Sequence, residues 1–157
     1  MKELKIKKIK NGTVIDHISP GNALFVLDIL NEPSVGNVVS LAMNVSSEFL
    51  GKKDIVKIEN RELNPKEVNK ISLIAPYATI NIIEEYEVVE KYKVELLPQY
   101  KDILKCPNPS CITNMKYPLG NREPIKTIFD LIEKDPITLK CHYCERFLEN
   151  DIYKYLK

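Results

Sequence analysis

All four cysteines of the chain fall in its last third, at Cys106, Cys111, Cys141 and Cys144, and residues 1–105 have none. Cys106-Pro107-Asn108-Pro109-Ser110-Cys111 and Cys141-His142-Tyr143-Cys144 are two close pairs, each bracketing a tight turn that can aim both sulfurs at one point. Four thiolates brought together this way close a tetrahedron. Zinc suits them because it accepts four sulfurs without redox chemistry, and a full shell leaves no open position for water or substrate. The expected site is therefore one structural Zn2+ per chain. The competing readings are disulfides, which a cytoplasmic chain disfavours, and chance buried cysteines, which the pairing disfavours. His142 lies between two ligands, but side chains inside a C-x2-C turn usually point away, so it is not expected to ligate.

A second concentration of chemistry lies far upstream. Asp16-His17 stands in one β-rich run, and Lys53 and Lys57 stand in another, Gly51-Lys52-Lys53-Asp54-Ile55-Val56-Lys57-Ile58-Glu59-Asn60. Residues 53, 55 and 57 share one side of a regular strand. Two ammonium groups there could hold a polyphosphate while an aspartate accepts from ribose hydroxyls. The same residues fit a solvated charged face, and His17 alone fits a structural histidine; the pattern leaves both readings open. No Gly-rich phosphate loop, nucleophile elbow or paired-histidine motif occurs, and five glycines leave little scope for one. No catalytic residue is assigned.

The elements that must position these groups are legible in outline. Thr13 to Ile18 reads as a strand, being rich in β-branched residues and closed by Ser19-Pro20. Ser19 as N-cap and Pro20 as first helical residue start a helix reaching about Asn31, with Leu24, Leu27 and Leu30 inward. Val39, Leu41, Met43 and Val45 alternate as a strand with one buried face, and 53–60 gives a third strand. Asn64-Pro65-Lys66-Glu67 is an N-cap, a proline at N1 and a glutamate at N3, so a second helix runs to about Ser72 with Val68 and Ile71 inward. Residues 77–83 and 86–96 supply further strands, and 4–9 offers an extra one. The order predicts an α+β fold: an N-terminal split βαβ, ferredoxin-like antiparallel sheet with two helices on one face. Leu97-Pro98-Gln99 marks the boundary, giving domains 1–97 and 98–157. In the second, alternation around Ile137-Thr138-Leu139 and Phe147 predicts a small antiparallel β zinc domain, with 121–134 as a loop plus short helix. At about 60 residues its core is small, so zinc should supply much of its folding free energy.

The 157 residues carry 23 basic and 22 acidic side chains, a net charge of +1, with no bias between the halves. Binding to nucleic acid or membrane by bulk charge is disfavoured. Apolar stretches break well before the roughly 20 residues that a bilayer needs, and no signal-type core opens the chain, so the expected location is cytoplasmic. An RNA-binding module would need exposed aromatics on its central strands, and 53–60 has none. A zinc enzyme would need an open metal position. A plain interaction adaptor fits everything except the lysine and aspartate cluster.

Gly12-Thr13-Val14-Ile15-Asp16-His17-Ile18, Gly51-Lys52-Lys53-Asp54 leading into Lys57-Ile58-Glu59-Asn60, Ala75-Pro76-Tyr77-Ala78-Thr79-Ile80-Asn81, Tyr86-Glu87-Val88-Val89 and the cysteine pairs behind them occur in one order. Together they closely resemble the regulatory chain of aspartate carbamoyltransferase over nearly the whole chain. The resemblance implies a non-catalytic subunit whose N-terminal domain binds the allosteric nucleotides CTP, ATP and UTP to control the first committed step of pyrimidine synthesis. It also implies a zinc domain docked on the catalytic chain, and a hetero-dodecamer of catalytic trimers and regulatory homodimers. Carried over by position, Asp16 is a ribose contact and His17 lies near the nucleotide, while Lys53, Lys57 and Lys91 meet base, ribose or phosphates. Asn81, Ile83, Tyr86 and Val88 line the same pocket, with Ile9 and Val14 on the opposite wall. Cys106, Cys111, Cys141 and Cys144 are the metal ligands, and Asn108 and Glu145 are contacts to the catalytic chain. The chain departs from better-known members at Lys7-Lys8, at Ser110, and in a longer spacing between cysteine pairs, placed around 119–124.

Overall fold

The computed structural model describes residues 8–115 and 124–157. The expected strand at 4–9, Lys7, and most of the enlarged loop at 119–124 lie outside them; Lys8 and Ile9 are described and are not in a strand. The chain divides into two compact units, Met1–Glu95 and Leu96–Lys157.

The first unit is one antiparallel sheet with two helices. β1 (Gly12–Ile18), β2 (Val39–Ser47), β3 (Gly51–Glu59), β4 (Thr79–Glu84) and β5 (Glu87–Lys93) lie in the order β2-β3-β1-β4-β5. The helices α1 (Ala23–Ile29) and α2 (Pro65–Ile74) follow β1 and β3, the split βαβ arrangement with β5 added at the edge. Strand alternation sends Ile15, Val56, Ile58 and Ile80 to the helix side, and a bulge between Ile15 and Ile18 brings Ile18 there too; Ala23, Val26, Leu27, Leu30 and Ile71 meet them in one buried cluster. The alternate residues form the opposite, partly exposed face. Gly12 is fixed by crowding at the start of β1: at φ +143° a Cβ there would lie 2.1 Å from the Ile58 carbonyl oxygen.

The capping box of α2 is present as read. Asn64 Oδ1 accepts from Glu67 N–H at 2.8 Å, and Glu67 Oε1 accepts from Asn64 N–H at 3.0 Å. The helix runs two residues past Ser72, with Ile71 fully buried and Val68 packed on the core.

α1 differs from expectation at both ends. Ser19 to Asn22 form a turn closed by Asn22 N–H to the Ser19 carbonyl at 3.0 Å, and the helix begins only at Ala23, with no side-chain cap from Asn22. Asn31, at φ +55°, ends it in the left-handed conformation that helix C-termini commonly use. Leu24 does not face inward. Three-residue steps fall about 60° short of a full turn, so Leu24, Leu27 and Leu30 cannot share one line; the buried stripe is Ala23, Val26, Leu27 and Leu30. The buried face expected of β2 is likewise only half realised. As an edge strand it leaves Leu41 39% and Met43 37% exposed; on α1, Leu24 is 58% and Phe25 39% exposed.

The second unit is a four-stranded antiparallel sheet, β6 (Gln99–Lys101), β7 (Ile128–Lys134), β8 (Ile137–Cys141) and β9 (Phe147–Leu148), in chain order. Tyr100, Leu104, Phe129 and Leu139 are its largest fully buried side chains. The short helix expected within 121–134 is instead β7: Phe129 pairs with Cys141 and Leu131 with Leu139. Thr127 and Phe129 are buried with Ile128 and Asp130 partly exposed between them, a period-two pattern that the apolar run Ile128-Phe129-Asp130-Leu131-Ile132 masks.

Candidate functional site

The metal centre is assembled by two turns. β8 ends on Cys141, and the turn after it returns Cys144 to the same point through Glu145 N–H to the Cys141 carbonyl, 2.9 Å, with Glu145 at φ +64°. The first pair is shaped by Asn108: its Oδ1 accepts from Ser110 N–H at 3.0 Å and its carbonyl from Cys111 N–H at 3.0 Å. Asn114, which the sequence pattern does not mark, ties the loop by donating its side-chain amide to the carbonyls of Cys106 (3.0 Å) and Asn108 (2.6 Å). The four sulfurs lie within 4.8 Å of one another. Cys106 Sγ and Cys144 Sγ are 3.5 Å apart, Cys111 Sγ and Cys141 Sγ 3.8 Å. These separations are too long for disulfides, and they match the roughly 3.8 Å between sulfurs on a tetrahedral ion with Zn–S near 2.3 Å.

The donor set fits zinc electrostatically as well. Burial pushes the Cys106 and Cys141 thiols up, which disfavours their thiolate forms. Burial also acts against Cys144, but the Arg146 N–H, the Asn108 side chain and the neighbouring thiols outweigh it and hold it down to about 7. Cys144 is thus the thiol readiest to ionise, and a cation at this point would favour the thiolates of Cys106 and Cys141 against their burial. When bound, zinc supplies that charge. His142 lies outside the four-sulfur cluster: its Nδ1 is 3.1 Å from Asp130 Oδ2, and Gln99 donates to the other oxygen of Asp130 at 2.7 Å.

The second site is the sheet face opposite the helices. Strand register sets Ser40, Lys57, Val14, Asn81 and Lys91 side by side across β2, β3, β1, β4 and β5. Toward one end of the face, Asp16 stands opposite Thr79, and Lys53 Nζ reaches Asp16 Oδ1 at 2.9 Å. Toward the other, Ile83 stands opposite Gly12 and Val88. From the Gly12 level to the Asp16 level is four residues, about 13 Å of strand, long enough for an extended nucleotide. Burial pushes the Lys57 ammonium down; Asp16 offsets this in part and Lys8 adds to it, so an anion bound beside Lys57 would be stabilised.

Val14 is part of the floor of this face, between Lys57 and Asn81, and Asn81 donates to the Val14 carbonyl at 3.3 Å. Ile9 is buried. Tyr86 sits with Glu85 in the two-residue turn between β4 and β5, both at positive φ, pinned by Tyr86 N–H to the Lys10 carbonyl at 2.9 Å and Glu85 N–H to Asn11 Oδ1 at 3.2 Å. His17 is turned by a bulge in β1 (φ +56°). Its ring meets Thr79 Oγ1 at 3.2 Å and packs edge-on against Phe49, beside a cavity of about 170 Å³ that Tyr77 and Lys93 also line. Phe49 and Lys93 belong to no motif and Tyr77 only to the run 75–81, where no role falls on it; the ring contacts and the cavity lining bring all three beside His17.

Fold and sites together define a class, a binding protein in two units: an open-faced α+β sheet followed by a four-thiolate metal domain. Residues 4–95 match the family model for the aspartate carbamoyltransferase regulatory chain, allosteric domain, and residues 98–154 match its metal binding domain. Curated relatives agree along their length. The aspartate carbamoyltransferase regulatory chain of Methanothermobacter thermautotrophicus is 54% identical, covering 95% of this chain and 92% of its own. That of Thermococcus sibiricus is 53% identical, covering 97% and 96%, and that of Methanothrix thermoacetophila 52%, covering 99% and 97%. The chain belongs to the aspartate carbamoyltransferase regulatory chain family. It is a non-catalytic subunit that associates with a catalytic chain, and its metal domain holds a structural metal in the four-cysteine cluster. Among the described residues no helix is long and apolar enough to cross a membrane.

Proposed function

We propose that residues 1–97 bind CTP, ATP and UTP on the open sheet face and that residues 98–157 carry the zinc domain that docks on the catalytic chain, in the cytoplasm. The observation that carries this is the cross-strand row of Lys57, Val14, Asn81 and Lys91 beside the Asp16–Lys53 pair. Three ammonium groups and a carboxylate on one face suit a triphosphate and a ribose, with Ile83, Tyr86 and Val88 beyond them for the base. Asn108 and Glu145, on the rims of the two cysteine turns, are the proposed contacts to the catalytic chain. The partly exposed apolar side chains of β2 and α1 support a regulatory homodimer, because a long uncharged edge strand is ordinarily covered. Such dimers would link catalytic trimers into the hetero-dodecamer. Control of the first step of pyrimidine synthesis is then a coupling free energy: a nucleotide that prefers one quaternary state shifts the population toward it.

The test is calorimetric titration of CTP into the zinc-loaded chain, with ATP as competitor, at two salt concentrations. Competitive binding that weakens with salt is the expected result; folded protein that binds neither nucleotide overturns the reading.

A further inference from the structure

We propose that Asp54 is a positioning residue that couples the polyphosphate-facing Asp16–Lys53 pair to the α1–β2 edge of the first unit. The inference rests on the nucleotide reading above and extends it to the opposite face of the sheet.

Lys53 and Asp54 are consecutive on β3 and so point to opposite faces. Lys53 reaches Asp16 on the open face at 2.9 Å. Asp54 is fully buried on the helix side and accepts three backbone N–H bonds. Its Oδ2 takes Gly21 at 2.9 Å and Ala23 at 3.1 Å, at the start of α1; its Oδ1 takes Asn44 of β2 at 2.7 Å. α1 has no side-chain cap of its own, so this carboxylate replaces one from another element.

Both ladders flanking β3 break at this level. β1 shifts register between Ile15 and Ile18, with His17 at φ +56°, and Ile18 then pairs with Asp54. β2 shifts between Ala42 and Val45, with Asn44 at φ +59°. The first bulge is held by Asp16, whose Oδ1 accepts from His17 N–H at 2.6 Å; the second is held by Asp54. An anion that draws Lys53 from Asp16 therefore acts on the β3 backbone at the residue that anchors α1 and the β2 bulge. A buried carboxylate held by three N–H groups has little slack, so the displacement passes to Gly21, Ala23 and Asn44.

Residue-resolved amide exchange on the zinc-loaded full chain, with and without saturating CTP, tests this. In the wild type, CTP should change exchange at Gly21, Ala23 and Asn44 by about tenfold. In Asp54→Asn, which keeps the shape but turns an NH2 toward amide donors, CTP should still bind within about tenfold of wild-type affinity while that response disappears. CTP binding that leaves those amides unchanged in the wild type overturns the inference without any variant, so it stands testable even if Asp54→Asn fails to fold. A response retained in Asp54→Asn overturns it too. If calorimetry shows no CTP binding, the nucleotide reading itself falls and the inference with it, a different result from bound CTP without response.

Discussion

At the scale of single residues, the lysines of the open face differ in what holds them. Lys53 is paired with Asp16, and Lys57 is partly desolvated near a second cation, whereas Lys91 is exposed on an edge strand. Removing Lys91 costs the fold little, so its effect should appear in binding alone. Lys91→Ala is expected to weaken CTP binding several-fold with assembly intact; unchanged affinity in the same titration would remove it from the site. Glu32 is the opposite case. It is buried, and its Oε1 takes Ser34 at 2.7 Å, Asn37 at 3.2 Å and Arg61 at 2.9 Å, while Arg61 also pairs with Glu67. Burial alone would raise its pKa, but these hydrogen bonds and the Arg61 charge outweigh it and hold the carboxyl below its ordinary 4.5. A folded value below the unfolded one gives stability that is complete above the unfolded value and is lost as pH falls through the folded one. Glu32→Gln should therefore destabilise the first unit by roughly 1–3 kcal/mol at pH 7, a difference that shrinks as pH drops below 4.5. Urea melts at pH 7 and pH 3 check the sign.

At the scale of elements, what was legible followed from chemistry confined to a few neighbouring residues. Asn64-Pro65-Lys66-Glu67 carries its own capping bonds, so α2 was readable to its first residue. α1 was misplaced because its cap comes from Asp54, about 30 positions away on β3, and no local pattern announces that. A signal was present, since Asp54 shares the core phase of β3 with Val56 and Ile58, where an unpartnered carboxylate would be costly. The break between the strands at 77–83 and 86–96 was legible, but the turn lies one residue later, at Glu85-Tyr86, because it lacks the Asn-Gly signature and its positive φ values are held by contacts to residues 10 and 11. The β2 edge carries its own test. Leu41→Lys places a charge on the exposed, uncharged strand and should halve the mass of the regulatory chain in sedimentation, with a change in melting stability under about 0.5 kcal/mol. A dimer that survives the substitution would place the homodimer contact elsewhere.

At the scale of the whole molecule, the two units are stabilised by different means. The first has a buried apolar cluster fed by both helices and the inner face of its sheet. The second has a small core, and its four sulfurs, two of them with raised pKa values, meet at one point. Chelation at neutral pH should therefore unfold residues from about Leu96 onward while the first unit keeps its cooperative melt and its nucleotide titration. Cys111→Ser should behave alike and fail to co-purify with the catalytic chain; co-purification of zinc-free protein would contradict it. Here the sequence was most transparent, because thiolate spacing is a chemical requirement and survives any rearrangement of the sheet around it. The face proposed for the nucleotide was readable only in part. Lys53 and Lys57 share a strand phase, but Lys91 and Asn81 join them through pairing across three further strands.

The adjacency of Lys53 and Asp54 also bears on how this lineage can vary in length. A one-residue slip of β3 at the level of residues 53 and 54, not absorbed by a bulge, would turn the ammonium into the core and the carboxylate onto the open face, reversing charge on both sides at once. Substitutions along β3 can be tolerated one at a time, but changes of length cannot. Among descendants of this sequence, gaps should gather in the turn at 48–50 and between the cysteine pairs, and never between residues 51 and 59.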